Sequence, residues 1–282
     1  VTWLFDPAVF IDTDGTGYLY FGGGVPEGQN ANPKTARVVK LGADMISLSG
    51  TAQLIDAPYI FEDSGMNKIG NTYYYSYCSN WNTGGNTLGL SNAAICYMTS
   101  SSPMGPFTYK GVMFPNVGGG EFGNYNNNHH TLIQFKNEYY LFYHARATAT
   151  AMGYSFNYRT TQIDKATVSN GNITVKATMS GVAPVQTLNP FVTVQAETIH
   201  NQGGLTVNNN GTSGNTYVSA KSGNWLGVKN VNFSKDATKV SVKVASTTGG
   251  AIKICTGGPT GTVVGYVDVP STGGSMKDIT AS

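Results

Sequence analysis

The chain has 282 residues, with 17 Lys and Arg against 15 Asp and Glu, for a formal net charge of +2. So small a charge gives no electrostatic case for a nucleic acid or an anionic membrane as partner, and no apolar run approaches the roughly 20 residues that span a bilayer as a helix. Only 11% of residues are charged while Gly numbers 36 and Tyr 17, a composition that suits short strands and tight turns better than long helices.

In chain order, a unit recurs in which an apolar strand, a turn and a strand dense in tyrosine follow one another. The first copy is Val9-Phe10-Ile11, the turn Asp14-Gly15-Thr16-Gly17 and Tyr18-Leu19-Tyr20-Phe21. The second is Tyr59-Ile60-Phe61, a turn at Ile69-Gly70-Asn71 and Tyr73-Tyr74-Tyr75-Ser76-Tyr77. The third is Leu132-Ile133-Gln134-Phe135, Lys136-Asn137-Glu138 and Tyr139-Tyr140-Leu141-Phe142-Tyr143. The first two copies run on into further strands, Ala36-Arg37-Val38-Val39-Lys40-Leu41 and Ala94-Ile95-Cys96-Tyr97-Met98. A repeat of this length with several strands per unit predicts β-propeller blades, of which about three are visible. Three blades alone leave strand edges unpaired, so N-terminal sequence is expected to be missing.

The character changes near Thr187-Leu188-Asn189-Pro190, after which Tyr becomes sparse. Val240, Val242 and Val244 alternate with polar residues, as do Ile252 and Ile254, and Asn208-Asn209-Asn210-Gly211 and Thr247-Thr248-Gly249-Gly250 supply turns. This predicts an all-β chain, with propeller blades over 1–190 and an incomplete β-sandwich of jelly-roll type over 191–282, the last strand cut short at Ser282. Cys78, Cys96 and Cys255 are too few and too scattered for a disulfide framework or a zinc site, and buried free thiols are expected. Asn172, Asn210 and Asn232 head sequons that matter only in a host that glycosylates secreted proteins.

Two carboxylates sit in matching frames. Asp6 lies in Trp3-Leu4-Phe5-Asp6-Pro7-Ala8-Val9-Phe10, and Glu62 in Ala57-Pro58-Tyr59-Ile60-Phe61-Glu62-Asp63-Ser64-Gly65, each ahead of a turn and an aromatic strand. Two carboxylates on equivalent pieces of a repeated β scaffold meet the needs of glycoside hydrolysis. A leaving sugar oxygen must be protonated, so one carboxyl has to keep its proton near working pH, through apolar neighbours such as Phe61 and Tyr59 or through a nearby carboxylate. The bland alternatives are a surface acid at a strand end for Glu62 and a turn cap before Pro7 for Asp6. Strand alternation sends Asp63 to the face opposite Glu62, and Asp56 is expected to serve local backbone donors.

These frames, with Met98-Thr99-Ser100-Ser101-Ser102-Pro103-Met104-Gly105-Pro106-Phe107, Asn127-Asn128-His129-His130 and Asn157-Tyr158-Arg159, resemble a family 43 glycoside hydrolase, and within it the arabinoxylan arabinofuranohydrolase group. Val194-Gln195-Ala196-Glu197 and Ser222-Gly223-Asn224-Trp225-Leu226 resemble the opening of a family 6 carbohydrate-binding module. The resemblance implies a five-bladed propeller and a secreted, monomeric glycosidase that removes α-L-arabinofuranosyl side chains from arabinoxylan by inversion. It implies Glu62 as general acid and Asp6 as the residue that tunes it. Trp3, Trp81, Asn127 and Arg159 match positions lining the sugar pocket, and His129 matches one beside a structural calcium or a water, with no organic cofactor. The family's general base, an Asp well upstream of the tuner, has no match, since Glu27, Asp44 and Glu121 stand in the wrong frames; the chain is expected to be truncated and to hydrolyse poorly by itself. A β-xylosidase of the same family and a non-catalytic carbohydrate-binding fragment are the other readings. In the module, Tyr217 is the candidate sugar platform and Glu197 a candidate calcium ligand, but Ser275 stands where sugar-binding members often carry Trp, which leaves half of the aromatic clamp absent and a structural, packing role as the alternative to sugar binding.

Overall fold

The computed structural model of the chain describes residues 6–123, 126–151, 159–209 and 216–282. The chain forms two compact units, Val1–Val182 and Ala183–Ser282. The division precedes the change of composition because Leu188 pairs with the second unit, bridging Val231 and exchanging backbone hydrogen bonds with Asn230 and Asn232.

Three four-stranded antiparallel sheets make up the described part of the first unit. The first holds β1 (Ala8–Ile11), β2 (Gly17–Phe21), β3 (Arg37–Lys40) and β4 (Gln53–Leu54) in chain order. The second holds β5 (Ile60–Ile69), β6 (Thr72–Ser79), β7 (Ile95–Ser100) and β8 (Thr108–Phe114), also in order. The third holds β9 (His130–Phe135), β10 (Glu138–Ala145), β11 (Thr160–Ser169) and β12 (Asn172–Val175), with the short helix α1 (Ala147–Ala151) between β10 and β11. Each tyrosine-dense run is the second strand of its sheet.

The middle sheet is covered on both faces, which explains why β6 is buried at seven consecutive positions, Tyr73 to Ser79. Side chains alternate across a strand. Tyr75 and Tyr77 pack with Tyr20, Val38 and Ile60 in one core, while Tyr74 and Cys78 pack with Leu132, Leu141 and Ile173 in the other. Tyrosine suits such a strand because its ring fills a core while its hydroxyl reaches a partner at the rim. Tyr20 donates to Pro103 O at 2.7 Å, Tyr77 to Pro58 O at 2.7 Å and Tyr143 to the buried Asp164 at 2.7 Å. Asp12 straps the first sheet to the second by accepting from Lys68 Nζ and the Tyr73 hydroxyl. Burial raises the Asp12 pKa, and the hydrogen bonds from Lys68, Tyr73 and Thr13 outweigh that and hold it at about 2. Cys78 and Cys96 are buried free thiols, and Cys255 is free and half-buried.

In the second unit the strands form antiparallel pairs. β13 (Asn201–Gly203) pairs with β16 (Trp225–Gly227), and β14 (Thr206–Asn209) with β15 (Thr216–Ser219). β17 (Val240–Val244) pairs with β20 (Lys277–Ala281), and β18 (Gly250–Thr256) with β19 (Thr262–Val269). No helix among the described residues is long and apolar enough to cross a membrane.

Candidate active site

The acidic frames come together where the first strands of two sheets begin. Asp6 lies two residues before β1, and Glu62 is the third residue of β5. The pairing of β5 with β6 shifts register twice, between Ile60 and Glu62 and between Glu62 and Gly65. Asp6, Tyr59 and Asp63 all adopt left-handed backbone, with φ of 49°, 56° and 65°. Such conformations are unfavourable for residues other than Gly and cluster at sites where geometry is held for a purpose. The two frames lock to each other directly, since the Asp63 backbone N–H donates to Asp6 Oδ2 at 3.1 Å.

Glu62 is 8% exposed. Its Oε1 accepts from Asn127 Nδ2 at 2.5 Å and is hydrogen-bonded to His129 Nε2 at 2.7 Å. His129 Nε2 also lies 3.8 Å from Asp6 Oδ2. Ligand-type atoms of Asp6, Glu62 and His129 all fall within 4.8 Å of one another. Burial, then the charge of Glu62, raises the Asp6 pKa. The hydrogen bond to Glu62 raises that of His129, against the opposing effect of burial.

Asp63 and Glu62 meet successive residues of the two-histidine segment, in a stretch where the ladder shifts register and Asp63 is left-handed. Asp63 Oδ1 lies 4.0 Å from His129 Nδ1, while Oδ2 accepts from the His130 backbone N–H at 2.9 Å and is hydrogen-bonded to His130 Nδ1. The far nitrogen of His130 meets Ser76 Oγ at 2.7 Å. A methyl group on Gly65 would sit 2.6 Å from Ser76 Oγ and 3.2 Å from His130 Nε2, so only Gly lets β5 pass under this pair. The tandem Glu62-Asp63 facing the tandem His129-His130 was a signal available in the sequence.

Of the other sequence candidates, the structure brings Asn127 to Glu62 and Trp81 to Asn127. Trp81 is 46% exposed and donates its indole N–H to Asn127 Oδ1. Arg159, exposed, directly precedes β11, and its charge acts together with burial to lower the pKa of His144 to about 4. The ring of His144 lies 6.0 Å from that of His129. Trp3 lies outside the described residues. In the second unit Tyr217 is 40% exposed on β15, as a sugar platform would have to be.

Chemically, the cluster offers a buried carboxyl held on one oxygen, a second carboxyl beside it, and an imidazole within reach of both. Comparison with known proteins agrees in kind. Glycosyl hydrolases family 43 matches residues 1–173, and the carbohydrate binding module (family 6) matches residues 195–280. The chain is 47% identical to an arabinoxylan arabinofuranohydrolase of Bacillus subtilis (strain 168), over 98% of this chain and 56% of that protein. It is 45% identical to an arabinoxylan arabinofuranohydrolase of Paenibacillus polymyxa, over 97% of this chain and 45% of that protein. It superposes with a TM-score of 0.90 and 45% identity on the crystal structure of a glycoside hydrolase family 43 arabinoxylan arabinofuranohydrolase from Bacillus subtilis in complex with cellotetraose, covering 99% of this chain and 61% of that one. The chain thus spans about half the length of the curated relatives it matches.

Proposed function

We propose that this chain, which belongs to glycosyl hydrolases family 43, carries the acid side of an enzyme that removes α-L-arabinofuranosyl side chains from arabinoxylan by inversion. The observation that carries the reading is the Asp6–Glu62–His129 cluster, in a chain whose relatives bear the name arabinoxylan arabinofuranohydrolase. Glu62 protonates the leaving sugar oxygen. Asp6, beside it in the cluster, is assigned the tuner's role that the family resemblance implies. Asn127 and His129 hold Oε1, so Oε2 is the oxygen that delivers the proton. Inversion also needs a carboxylate on the opposite face of the sugar to activate water. Among the described residues the cluster contains no third free carboxylate, because Asp63 is committed to His130. The base is assigned, as the family resemblance implies, to an Asp upstream of Asp6, in the part of the relatives that this chain does not match.

Trp3, Trp81, Asn127 and Arg159 are assigned to the sugar pocket, within a five-bladed propeller followed by a jelly-roll module. A polymeric substrate places this monomeric enzyme outside the cell. The calcium that the family resemblance implies near His129 finds a poor fit in this cluster. Calcium takes six to eight oxygen ligands, whereas this cluster has two carboxylates and an imidazole nitrogen, and Glu62 and His129 are already hydrogen-bonded to each other.

The test is to incubate the full-length protein with arabinoxylan and follow the first-formed sugar by proton NMR. Arabinose of inverted anomeric configuration is expected. Release of xylose from xylo-oligosaccharides, without arabinose, would replace this reading with a β-xylosidase; polysaccharide binding without any release would replace it with a carbohydrate-binding protein.

A further inference from the structure

The exposed Trp81 is tied into the acid. Its indole N–H donates to Asn127 Oδ1, and Asn127 Nδ2 donates in turn to Glu62 Oε1. The order of this chain is dictated by chemistry. An indole nitrogen is a donor only, and a primary amide has one accepting and one donating end. Once Trp81 faces Asn127, the amide oxygen must turn to the indole and the amide nitrogen to Glu62. Without the indole donor the amide could flip, presenting its oxygen to Glu62. That oxygen would repel an ionised Glu62, or would accept the proton that a protonated Glu62 should give to the sugar.

Trp81 is well placed for such a role because its loop is braced by asparagine side chains. Asn80 is 3% exposed, and its backbone N–H donates to Tyr59 O at 2.8 Å. Asn92 Oδ1 accepts from the Thr83 backbone at 3.1 Å and the Thr83 hydroxyl at 2.7 Å. Asn86 Nδ2 donates to Thr83 O at 2.6 Å and Leu90 O at 2.9 Å, while its oxygen accepts from the Leu88 and Leu90 backbones at 3.0 Å. A side chain on a rigid loop can hold its partner to the tolerance that catalysis needs.

We propose that Trp81 is a positioning residue for the general acid, acting through the amide of Asn127, in addition to any contact its ring face makes with sugar. This rests on the glycosidase reading above and deepens it. Trp81→Phe separates the two roles, since it keeps an aromatic face and deletes only the N–H. In the full-length enzyme, loss of one neutral hydrogen bond should lower kcat on arabinoxylan by about 5- to 10-fold, with a smaller change in KM. An aryl arabinofuranoside with a nitrophenolate leaving group needs little help from an acid, so its kcat should fall several-fold less. In an Asn127→Ala background, Trp81→Phe should add nothing further. Equal losses on both substrates, or full additivity with Asn127→Ala, would overturn the proposal.

A second measurement needs no turnover. The Trp81 indole N–H resonance, assigned by its disappearance in Trp81→Phe, should exchange with solvent faster in Asn127→Ala than in the unmodified chain. Unchanged exchange would overturn the proposal as well. If the unmodified full-length enzyme releases no sugar at all, it is the glycosidase reading that fails, and the exchange measurement still decides whether Trp81 holds Asn127.

Discussion

The two units use their apolar side chains in different ways. In the first, the middle sheet is covered on both faces, and two cores hold Tyr20, Tyr74, Tyr75, Tyr77, Tyr97 and Tyr143 almost out of water. In the second, only Leu205, Val267 and Val269 are buried apolar residues among those described, while Val207, Leu226, Phe233, Ile252, Val264 and Tyr266 stand exposed on or beside its strands. Side chains packed on every side have one available position each, and a site built on them inherits that definition. A carboxylate that must lie within hydrogen-bond reach of Asn127 and His129 belongs on the first kind of scaffold.

The contrast is broken most severely by Glu62→Gln. If catalysis lives in the first unit at this carboxyl, hydrolysis of arabinoxylan by the full-length enzyme should fall by about 10²- to 10⁴-fold, the usual worth of a positioned acid. The thermal midpoint should hardly change, because the amide keeps an oxygen for Asn127. Turnover within a factor of ten of the unmodified enzyme would remove Glu62 from the acid's role.

Next in size is a matched pair of truncations. Phe114 is fully buried, with its ring 4.6 Å from that of Tyr143, between the second and third sheets. Phe114→Ala should cost the first unit about 3–5 kcal/mol in a denaturant melt, from lost burial and the cavity left behind. Val264 is 60% exposed on β19, and Val264→Ser should leave the second unit within about 0.5 kcal/mol. Similar costs at the two positions would show that the second unit packs far more tightly than its exposure implies.

The same contrast decides what was legible beforehand. The runs Tyr18–Phe21, Tyr73–Tyr77 and Tyr139–Tyr143 announce the second strands because few other structures employ so many rings with rim hydroxyls. The last strands of the sheets, Gln53–Leu54, Thr108–Phe114 and Asn172–Val175, carry no such mark; two are short, and all three depend on the pairing partner more than on their own residues. At the site, Asp6 and Glu62 stood out by their frames. What Asp63 does there was not legible, because the ladder slips on both sides of Glu62 and its partner His130 lies 67 positions away. Trp81 was visible as an aromatic for sugar, but the partner of its N–H lies 46 positions away and follows only from the folded chain.

The smallest expected effect concerns what the tight scaffold costs. Burial and the charge of Glu62 raise the pKa of Asp6 above its ordinary value of 3.8. Between that value and the raised one, the folded chain holds a proton that the unfolded chain has released. Stability therefore falls as pH rises through this window, and above it the ionised Asp6 is a standing cost. Asp6→Asn removes the charge and keeps an oxygen for the Asp63 backbone N–H. Its thermal midpoint should rise modestly at pH 7, and the gain should shrink to nothing as the pH is lowered past 3.8. Hydrolysis should fall at the same time, since the carboxylate assigned to tune the acid is gone. A variant no more stable than the parent at pH 7 would mean that His129, whose charge opposes that of Glu62 on Asp6, already neutralises the strain of placing two carboxylates side by side.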